Sequence, residues 1–353
     1  MIKRYFSYTA LHYLKSFTIL LVGMSLAIVL IDFLQHAKSI DGGANLKILY
    51  IYYKWQSILL LIYPIVMVFS LIATQMSFVK NNTLVALFAL GYGRRRLLRP
   101  FLAVSVLIYL LFLGLQFTSF SYGEDMAKSL VDEKYGKRNV DELFFKYDDS
   151  FVYVRRLNPA KKELYGVVIF DVDGGRVRKI VSFDKARFEN GSWMTEKVRI
   201  DSKRYDESGK LSGFDTVYDS GVRLLEGYEP NVVKSIYEGR SSTLAEGFSA
   251  WVLLKSQGLD MDKIKSTIYN KILMPLFAFP MIVLLFLSIP IHQRFIRSEM
   301  VWALSLGSTL FVWGFLYALF RLSVNGVVPP DLAQTVPVAL LCLFAVYRYL
   351  KSI

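Results

Sequence analysis

The side chains that most often carry chemistry are sparse in this sequence. Its three histidines, His12, His36 and His292, lie far apart, and Cys342 is its single cysteine. No pair of these residues has the spacing of metal ligands, and one thiol cannot form a disulfide within the chain. The sequence also contains no G-x-x-x-x-G-K-[ST] phosphate-binding loop. We therefore expect no catalytic site, no metal site and no cofactor.

One segment combines residues that could serve a partner instead. It reads KNNTLVALFALGYGRRRLLRP, from Lys80 to Pro100, and places four arginines between Arg94 and Arg99. Its first half is apolar, so a helix there must be buried by the bilayer surface, by its own bundle or by a groove on a partner. The elements around the segment decide between these environments.

The composition is that of a membrane protein. The chain has 353 residues, is 54% hydrophobic and has a mean hydropathy of +0.38. A bilayer core of about 30 Å requires roughly 20 helical residues. We predict six spanning helices from the runs without Asp, Glu, Lys or Arg: Ser16–Ile31, Trp55–Val79, Pro100–Gly123, Ile272–Gln293, Met300–Phe320 and Leu332–Tyr347.

The distribution of charge predicts the topology. The block Glu124–Lys271 carries 26 basic and 25 acidic residues, so nearly all of the net charge of +13 lies in the membrane part. Basic residues concentrate at both termini, in the link 80–99 and at Arg294 and Arg297. The positive-inside rule places all of these on the cytoplasmic side. A cleaved signal peptide is the alternative for the first run, but it would break this agreement at the C-terminus. Topology explains the charge, so no nucleic-acid partner is expected.

The polar block reads as a β domain. Short alternating runs such as SFVYVRR (150–156), LYGVVIF (164–170) and EKVRIDSKRY (196–205) are separated by turn signals. This spacing is typical of a sandwich or jelly roll. Asn190-Gly191-Ser192 matches a glycan acceptor motif, but Asn-Gly is better explained as a hairpin turn. Thr243 to Glu246 fits a capping box that begins a helix returning to the membrane.

Length shows that the segment after the second span is not part of that span. A helix from Trp55 to Gly93 would be about 58 Å long at 1.5 Å per residue, roughly twice the membrane core. Asn81 and Asn82 are suitable N-caps for a new helix. In that helix Leu84, Leu87, Phe88 and Gly91 share one face. We therefore predict a short, mostly apolar cytoplasmic helix after these asparagines, followed by a basic turn.

These features together resemble the LptF/LptG permeases of the lipopolysaccharide-export ABC transporter, and LptG most closely. The resemblance rests on the order of the six spans, the inserted β domain and several motifs: TLVALFALGYGRRRLLRP, SFVYVRRL, LKSQGLD before NKILMPL, and NGVVPPDLAQTVP. It implies a polytopic α-helical membrane protein with an inserted all-β, jelly-roll-like periplasmic domain. The domains would be 1–123, 124–265 and 266–353, in a bacterial inner-membrane protein with both termini cytoplasmic.

The resemblance also implies a mechanism and a set of partners. Such a permease pairs with an LptF-like permease and is driven by two copies of a cytoplasmic ABC ATPase. It extracts lipopolysaccharide through a cavity whose gates are the first and fifth spans, and a single-span LptC-like jelly-roll partner helps to pass the lipid to a periplasmic bridge. The coupling helix would fall on 82–92. Its implied contacts are Asn82, Thr83, Leu84, Leu87, Phe88, Gly91, Arg94 and Arg95. Family members usually carry a Glu where this chain has Thr83.

Lipopolysaccharide has phosphate groups, so its site should include basic residues at the outer membrane surface. The candidates are Lys38, Lys47, Lys54 and Arg321. The alternative for each is ordinary snorkelling of a basic side chain to the interface, beside membrane lipids. For the whole chain, the alternative function is a membrane-anchored periplasmic binding or scaffold protein of the envelope that transports nothing.

Overall fold

The structure is a computed structural model. It describes residues 2–40, 43–131, 140–147, 150–159, 161–173, 176–205, 211–238, 243–289 and 298–351. The chain divides into two compact units, Met1–Ala127 together with Lys265–Ile353, and Lys128–Ile264. The basic pair Arg294 and Arg297 lies outside the described residues.

The first unit is a helical bundle. Its helices are α1 (Ile2–His36), α2 (Ala44–Lys80), α3 (Thr83–Ala89), α4 (Arg94–Leu115) and α5 (Gly123–Val131), the last continuing into the second unit; the later ones are α8 (Asp262–Ile272), α9 (Ala278–Ser288), α10 (Ser298–Val324) and α11 (Val336–Lys351). Six helical segments in the described part of the chain are long and apolar enough to cross a membrane. They are α1, α2, α4, α8 continued by α9, α10, and α11 with its preceding turn. The six predicted spans are confirmed.

The predicted bounds of the third span are wrong. We expected Pro100–Gly123, but α4 begins at Arg94 and ends at Leu115. The arginines therefore form the first turns of the helix and not a separate basic turn. Arginine is a good helix former, and its long stem can reach the interface from inside a span. Gln116 caps the helix, and Ser119–Tyr122 form a short 3₁₀ turn before α5.

A proline breaks the fourth span. A 3₁₀ turn, Met274–Phe277, separates α8 from α9. Pro275 has no N–H, so the carbonyl of Lys271 loses its helical donor. Gln116 donates its side-chain Nε2 to that carbonyl at 3.2 Å, and the Tyr109 hydroxyl donates to the carbonyl of Ile272 at 3.2 Å. Side chains near the end of α4 thus donate hydrogen bonds to the carbonyls that the break in the fourth span leaves without helical donors.

Buried aromatic residues hold the first three spans together. The Tyr13 side chain is fully buried and donates its hydroxyl to the carbonyl of Met67 on α2 at 2.9 Å. It also lies 2.8 Å from the Ser105 hydroxyl oxygen on α4. The Tyr63 and Phe112 rings stack with centroids 4.3 Å apart. Most of α2 is buried, which makes it the central helix of the bundle.

The second unit is built on one antiparallel sheet. Its strands are β1 (Val140–Tyr147), β2 (Ser150–Asn158), β3 (Glu163–Asp173), β4 (Arg176–Glu189), β5 (Ser192–Thr195), β6 (Val198–Tyr205), β7 (Leu211–Asp219) and β8 (Val222–Leu224). The order is β1-β2-β3-β4-β5-β8, and β6 pairs with both β4 and β7. Alternating apolar residues such as Val152, Val154 and Phe183 enter one core around Trp193. The inserted β domain is confirmed.

Two local predictions in this unit are also confirmed. Asn190 and Gly191 have φ of 51° and 81°, and Glu189 pairs with Ser192 across them. These positive φ values define the tight hairpin expected of Asn-Gly. Thr243 and Glu246 form a capping box at the start of α7 (Leu244–Ser256), which precedes Gly258 at φ 62°.

The sequence did not predict α6 (Pro230–Glu238). It has only nine residues. A pattern of two and a half turns is too short to separate from the flanking strand-like runs. Tyr228 just before the helix and Val233 within it belong to the core of the sheet, so the short helix closes that core.

Gly123 generates a testable prediction because it marks a close approach of two chain segments. A Cβ there would lie 2.6 Å from the Tyr53 carbonyl oxygen and 3.0 Å from the Ser57 nitrogen, both backbone atoms of α2. Gly123→Ala should therefore lower the free energy of unfolding by about 1–3 kcal/mol through overpacking. The measurement is an SDS unfolding titration of the purified protein.

Gly114→Ala is the matched control, because a Cβ there would meet nothing within 4 Å. Alanine is favoured over glycine inside a helix, so this variant should be neutral or more stable by up to about 1 kcal/mol. Equal loss of stability in both variants would contradict the close approach.

The Glu163 carboxylate generates a second prediction, on pH. It is buried at one end of β3, where it accepts hydrogen bonds from the Tyr165 hydroxyl, from Lys185 and from Arg187 at 3.1 Å. Donation from Tyr165 and then from Lys185 lowers the pKa of Glu163 to about 2. Because its pKa is depressed by folding, its stabilising contribution is complete above its ordinary pKa near 4.5 and is lost as pH falls toward 2.

Glu163→Gln should remove this part of the acid dependence. The measurement is the urea concentration at the midpoint of unfolding, determined from pH 6 to pH 3. Unfolding is monitored by the fluorescence of Trp193 in a variant whose four other tryptophans are replaced by Phe. An unchanged slope of midpoint against pH in the variant would show that Glu163 does not couple folding to protonation.

Candidate functional site

The segment 80–100 folds back on the bundle immediately after α2. Asn82 is the N-cap residue of α3, as predicted, but it adopts the left-handed conformation at φ 53° and makes no side-chain cap bond. Asn tolerates this conformation better than most residues. The backbone of Asn82 instead donates to the carbonyl of Val79 and accepts from the N–H of Ala86. Asn82 therefore reverses the chain between α2 and α3.

The face that the sequence singled out packs against the chain itself. Leu84 is buried, and Leu87 and Phe88 are half-buried against the core of the membrane unit. Thr83 is also half-buried. The sequence left three environments open for this face. In the structure, the helical bundle itself buries it. These side chains leave little surface for a partner.

A second face of α3 remains open. Ala86, Ala89 and Leu90 are exposed and follow the i, i+3, i+4 spacing of one helical face. Leu90 is 68% exposed. The sequence placed these residues on other faces without assigning them a role. The pattern could not find them, because an all-apolar helix of seven residues gives no sign of which face turns inward.

Gly91 ends the helix. Its φ is 81°, its N–H donates to the carbonyl of Phe88, and the N–H of Tyr92 donates to the carbonyl of Leu87. This pair of bonds is a Schellman motif, which requires a left-handed residue and favours glycine. Gly91 is exposed, so the same position that stops the helix also lies at the surface.

The residues after the helix attach it to α1. The buried Tyr92 ring lies 4.4 Å from that of Tyr5. The Tyr5 hydroxyl donates to the backbone carbonyl of Arg96. That carbonyl has no helical donor, because the residue four positions later is Pro100. Proline within α4 thus creates the acceptor that binds α1.

Two arginines bind the ends of other spans. Arg94 donates Nη1 to the carbonyl of Leu287 near the end of α9 at 2.9 Å. Arg95 donates Nη2 to the carbonyl of Leu350 at the end of α11 at 2.8 Å, and its guanidinium lies 5.1 Å from the centre of the Tyr349 ring. The last carbonyls of a helix lack internal donors and carry partial negative charge. Arginine satisfies both conditions, so the segment is tied to the fourth and sixth spans. We call this end of the bundle the arginine end.

Lys54 lies in an ion-pair cluster at the opposite end of the bundle. Its Nζ is 3.3 Å from Asp32 Oδ1 on α1 and 3.2 Å from Glu124 Oε2 on α5. The Tyr50 hydroxyl donates to Asp32, and the Ser57 hydroxyl donates to Glu124 at 2.9 Å. Two carboxylates around one ammonium leave it little capacity for a phosphate. The structure therefore separates Lys54 from the other phosphate candidates.

The other three candidates are not paired in this way. Lys38 and Arg321 are exposed and Lys47 is half-buried. None of the three side chains forms an ion pair or hydrogen bond with a residue in the described part of the chain. Among those residues, no group of three or more His, Cys, Asp and Glu side chains could hold a metal ion.

The order of these elements along the chain matches one protein family. The model of the lipopolysaccharide export system permease LptF/LptG matches residues 7–351, which is nearly the whole sequence. The chain belongs to the LptF/LptG family. No individual curated protein matches it. An LptF/LptG permease is the membrane component of the lipopolysaccharide export system, a transporter part and not an enzyme.

The Lys54 cluster of this LptF/LptG permease generates a prediction. Lys54→Gln leaves Asp32 and Glu124 without their shared cation in a half-buried place, and this should lower the free energy of unfolding by about 1–3 kcal/mol. Lys47→Gln is the control on the same helix and should change it by no more than about 0.5 kcal/mol. SDS unfolding of the purified variants measures both values.

Adding Glu124→Gln to Lys54→Gln should restore part of the lost stability, because it removes one of the two carboxylates that Lys54 neutralises. If the loss of stability in the double variant equals or exceeds the sum of the losses in Lys54→Gln and Glu124→Gln, the Lys54 and Glu124 charges do not stabilise each other.

Proposed function

We propose that this chain is one of two paired permease subunits that extract lipopolysaccharide from the outer leaflet of the inner membrane. It acts beside an LptF-like permease and passes the lipid to a periplasmic bridge. Two copies of a separate cytoplasmic ABC ATPase supply the energy, since the sequence has no phosphate-binding loop of its own. Membership of the export permease family supports the class of function.

In this proposal the arginine end faces the cytoplasm. Lys80 and the four arginines of the link 80–99 lie there without any acidic residue, and Arg348 and Lys351 end α11 at the same surface. The positive-inside rule supports this orientation. The β unit, inserted between the third and fourth spans, is then periplasmic and meets an LptC-like jelly-roll partner there.

The exposed face of α3 is the proposed contact with the ATPase. It presents Ala86, Ala89 and Leu90 at the side of the membrane where a soluble ATPase would bind. No residue in the described part of the chain covers this apolar surface, while the other face of the helix is buried. It is the single observation that carries the coupling proposal, since a short apolar helix exposed to water needs a partner groove. Thr83, where the family usually has a Glu, is only half-exposed.

Arg94 and Arg95 give this contact a route into the membrane. They follow α3 directly and bind the ends of α9 and α11. Tyr92 and the Arg96 carbonyl connect the same segment to α1 through Tyr5. A movement of α3 is therefore transmitted to α1, α9 and α11 through these hydrogen bonds and the contact between the Tyr92 and Tyr5 rings. We propose that ATP-driven movement reaches α1, the proposed gate, by this route.

The lipid site is proposed at the opposite end of the bundle. Lys38, Lys47 and Arg321 have unpaired basic side chains suited to lipopolysaccharide phosphates. Lys54 is proposed to hold α1, α2 and α5 together instead. The spans α1 and α10 are the least buried of the six. In each of them, 17% of the most apolar stretch is buried inside the bundle. Such open faces suit gates that line a cavity shared with a second permease.

Leu90→Glu tests the coupling proposal. A charge in place of a Leu in an apolar groove costs the transfer energy of the side chain, about 1.5–3 kcal/mol, and adds the desolvation of the carboxylate. ATPase association should therefore weaken by more than about tenfold, which corresponds to 1.4 kcal/mol. The measurements are co-purification of the ATPase with the permease pair and ATP-dependent release of lipopolysaccharide from proteoliposomes.

Val327→Glu is the matched control, because Val327 is 67% exposed but lies between the fifth and sixth spans at the opposite end. It should leave ATPase association intact. Normal association in Leu90→Glu would overturn the coupling contact. Retained envelope function after replacement of the whole membrane unit by a simple anchor would instead favour a scaffold.

A further inference from the structure

An apolar groove lies on the bundle between α4, α9 and α11. Its volume is about 370 Å³. The side chains that define it include Leu102 and Val106, Phe279 and Val283, and Cys342 and Tyr349. No charged side chain lines it. The groove lies within the third, fourth and sixth membrane-spanning segments, so its surroundings are lipid acyl chains.

The groove occupies the half of the bilayer next to the arginine end. On α11 it extends from Tyr349 back to Cys342, about 10 Å at 1.5 Å per residue. On α4 it begins at Leu102 and reaches Val106, about 12 and 18 Å along the axis from Arg94. Most of the groove therefore falls within about 15 Å of the arginine end, in a hydrocarbon core about 30 Å thick. A molecule in the groove thus has its polar end at the arginines.

Positive charge concentrates at that mouth. Tyr349 forms the end of the groove, and the Arg95 guanidinium lies 5.1 Å from its ring centre. Arg95 donates one N–H to the Leu350 carbonyl. A guanidinium has five N–H donors in all. Arg99, Arg348 and Lys351 lie on the neighbouring turns, and neither 80–99 nor 336–351 contains an acidic residue. This environment is complementary to a phosphate.

The positive charge at the mouth of the groove determines which lipid binds there, because the apolar walls do not distinguish one lipid tail from another. Lipid tails are as apolar as the groove, so moving a tail from bilayer to groove gains no hydrophobic energy. A basic residue at the membrane surface, in contrast, attracts an anionic head group. We propose that the groove holds one acyl chain of an anionic phospholipid of the leaflet at the arginine end, with its phosphate bound at Arg95.

This lipid would be a structural partner and not the exported substrate. It would fill the space between the third, fourth and sixth spans beside the residues that connect α3 to them. The inference needs only the membrane-spanning segments and the arginine end. It therefore stands independently of the ATPase contact and of the transport direction.

The test places the full-length chain in nanodiscs of equal phosphatidylglycerol and phosphatidylcholine and counts retained lipids by native mass spectrometry after gentle extraction. The unmodified chain should retain phosphatidylglycerol preferentially. Val106→Trp fills the groove and should abolish that retention. Leu107→Trp, at an exposed neighbouring position that does not line the groove, should not.

The head-group contact has its own pair of variants. Arg95→Gln should reduce the preference for phosphatidylglycerol by about fivefold, the effect of one basic residue at a membrane surface. Arg96→Gln, an exposed arginine on the next position, should leave it unchanged. Equal preference in both variants would overturn the contact with Arg95.

Photo-crosslinking keeps the proposal falsifiable if Val106→Trp does not fold. A phosphatidylglycerol with a diazirine in its acyl chain should label the unmodified protein on the peptides around Leu102–Val106 and Cys342–Tyr349. Labelling spread evenly over all spans would overturn the proposal. So would a cross-link from the single cysteine, Cys342, to a membrane helix of another chain, since the groove would then be a helix interface.

Discussion

The bundle depends on one constraint, which is that every backbone polar group inside a membrane needs a partner within the protein. Pro100 and Pro275 each remove a helical donor, and the ends of α9 and α11 leave carbonyls open. Tyr5, Gln116, Arg94 and Arg95 supply the missing donors from neighbouring helices. The breaks at Pro100 and Pro275 and the ends of α9 and α11 are therefore also places where spans are bonded to one another.

The same constraint supports the coupling role that we propose for the segment after the second span. Its buried face anchors it through Leu84, and its exposed face carries Leu90. The arginines that follow donate to carbonyls on two other spans, and the Arg96 carbonyl accepts a hydrogen bond from Tyr5 on a third. A segment anchored only by apolar contacts could slide, because such contacts are not directional. Hydrogen bonds to specific carbonyls instead transmit displacement along defined directions.

The two ends of the bundle use charge differently. At the arginine end, cations meet partial negative charges of helix ends, so net positive charge remains for a membrane surface or a partner. At the opposite end, Lys54 is balanced by Asp32 and Glu124. Basic residues with the same position in a span can thus differ in function, because one is neutralised by neighbours that are distant in sequence.

The sequence by itself determined the class of the molecule: six spans, an inserted β domain, the Asn190-Gly191 hairpin and the capping box at Thr243. These features rest on hydropathy and on turn and cap chemistry, which act over a few residues. The sequence could not determine where α4 begins, which face of α3 is buried, or that Lys54 is paired. Each of these depends on residues far apart in the chain. Only the tertiary structure brings Tyr5 to Arg96, Arg95 to Leu350 and Glu124 to Lys54, because packing selects among faces and partners that local patterns leave equivalent.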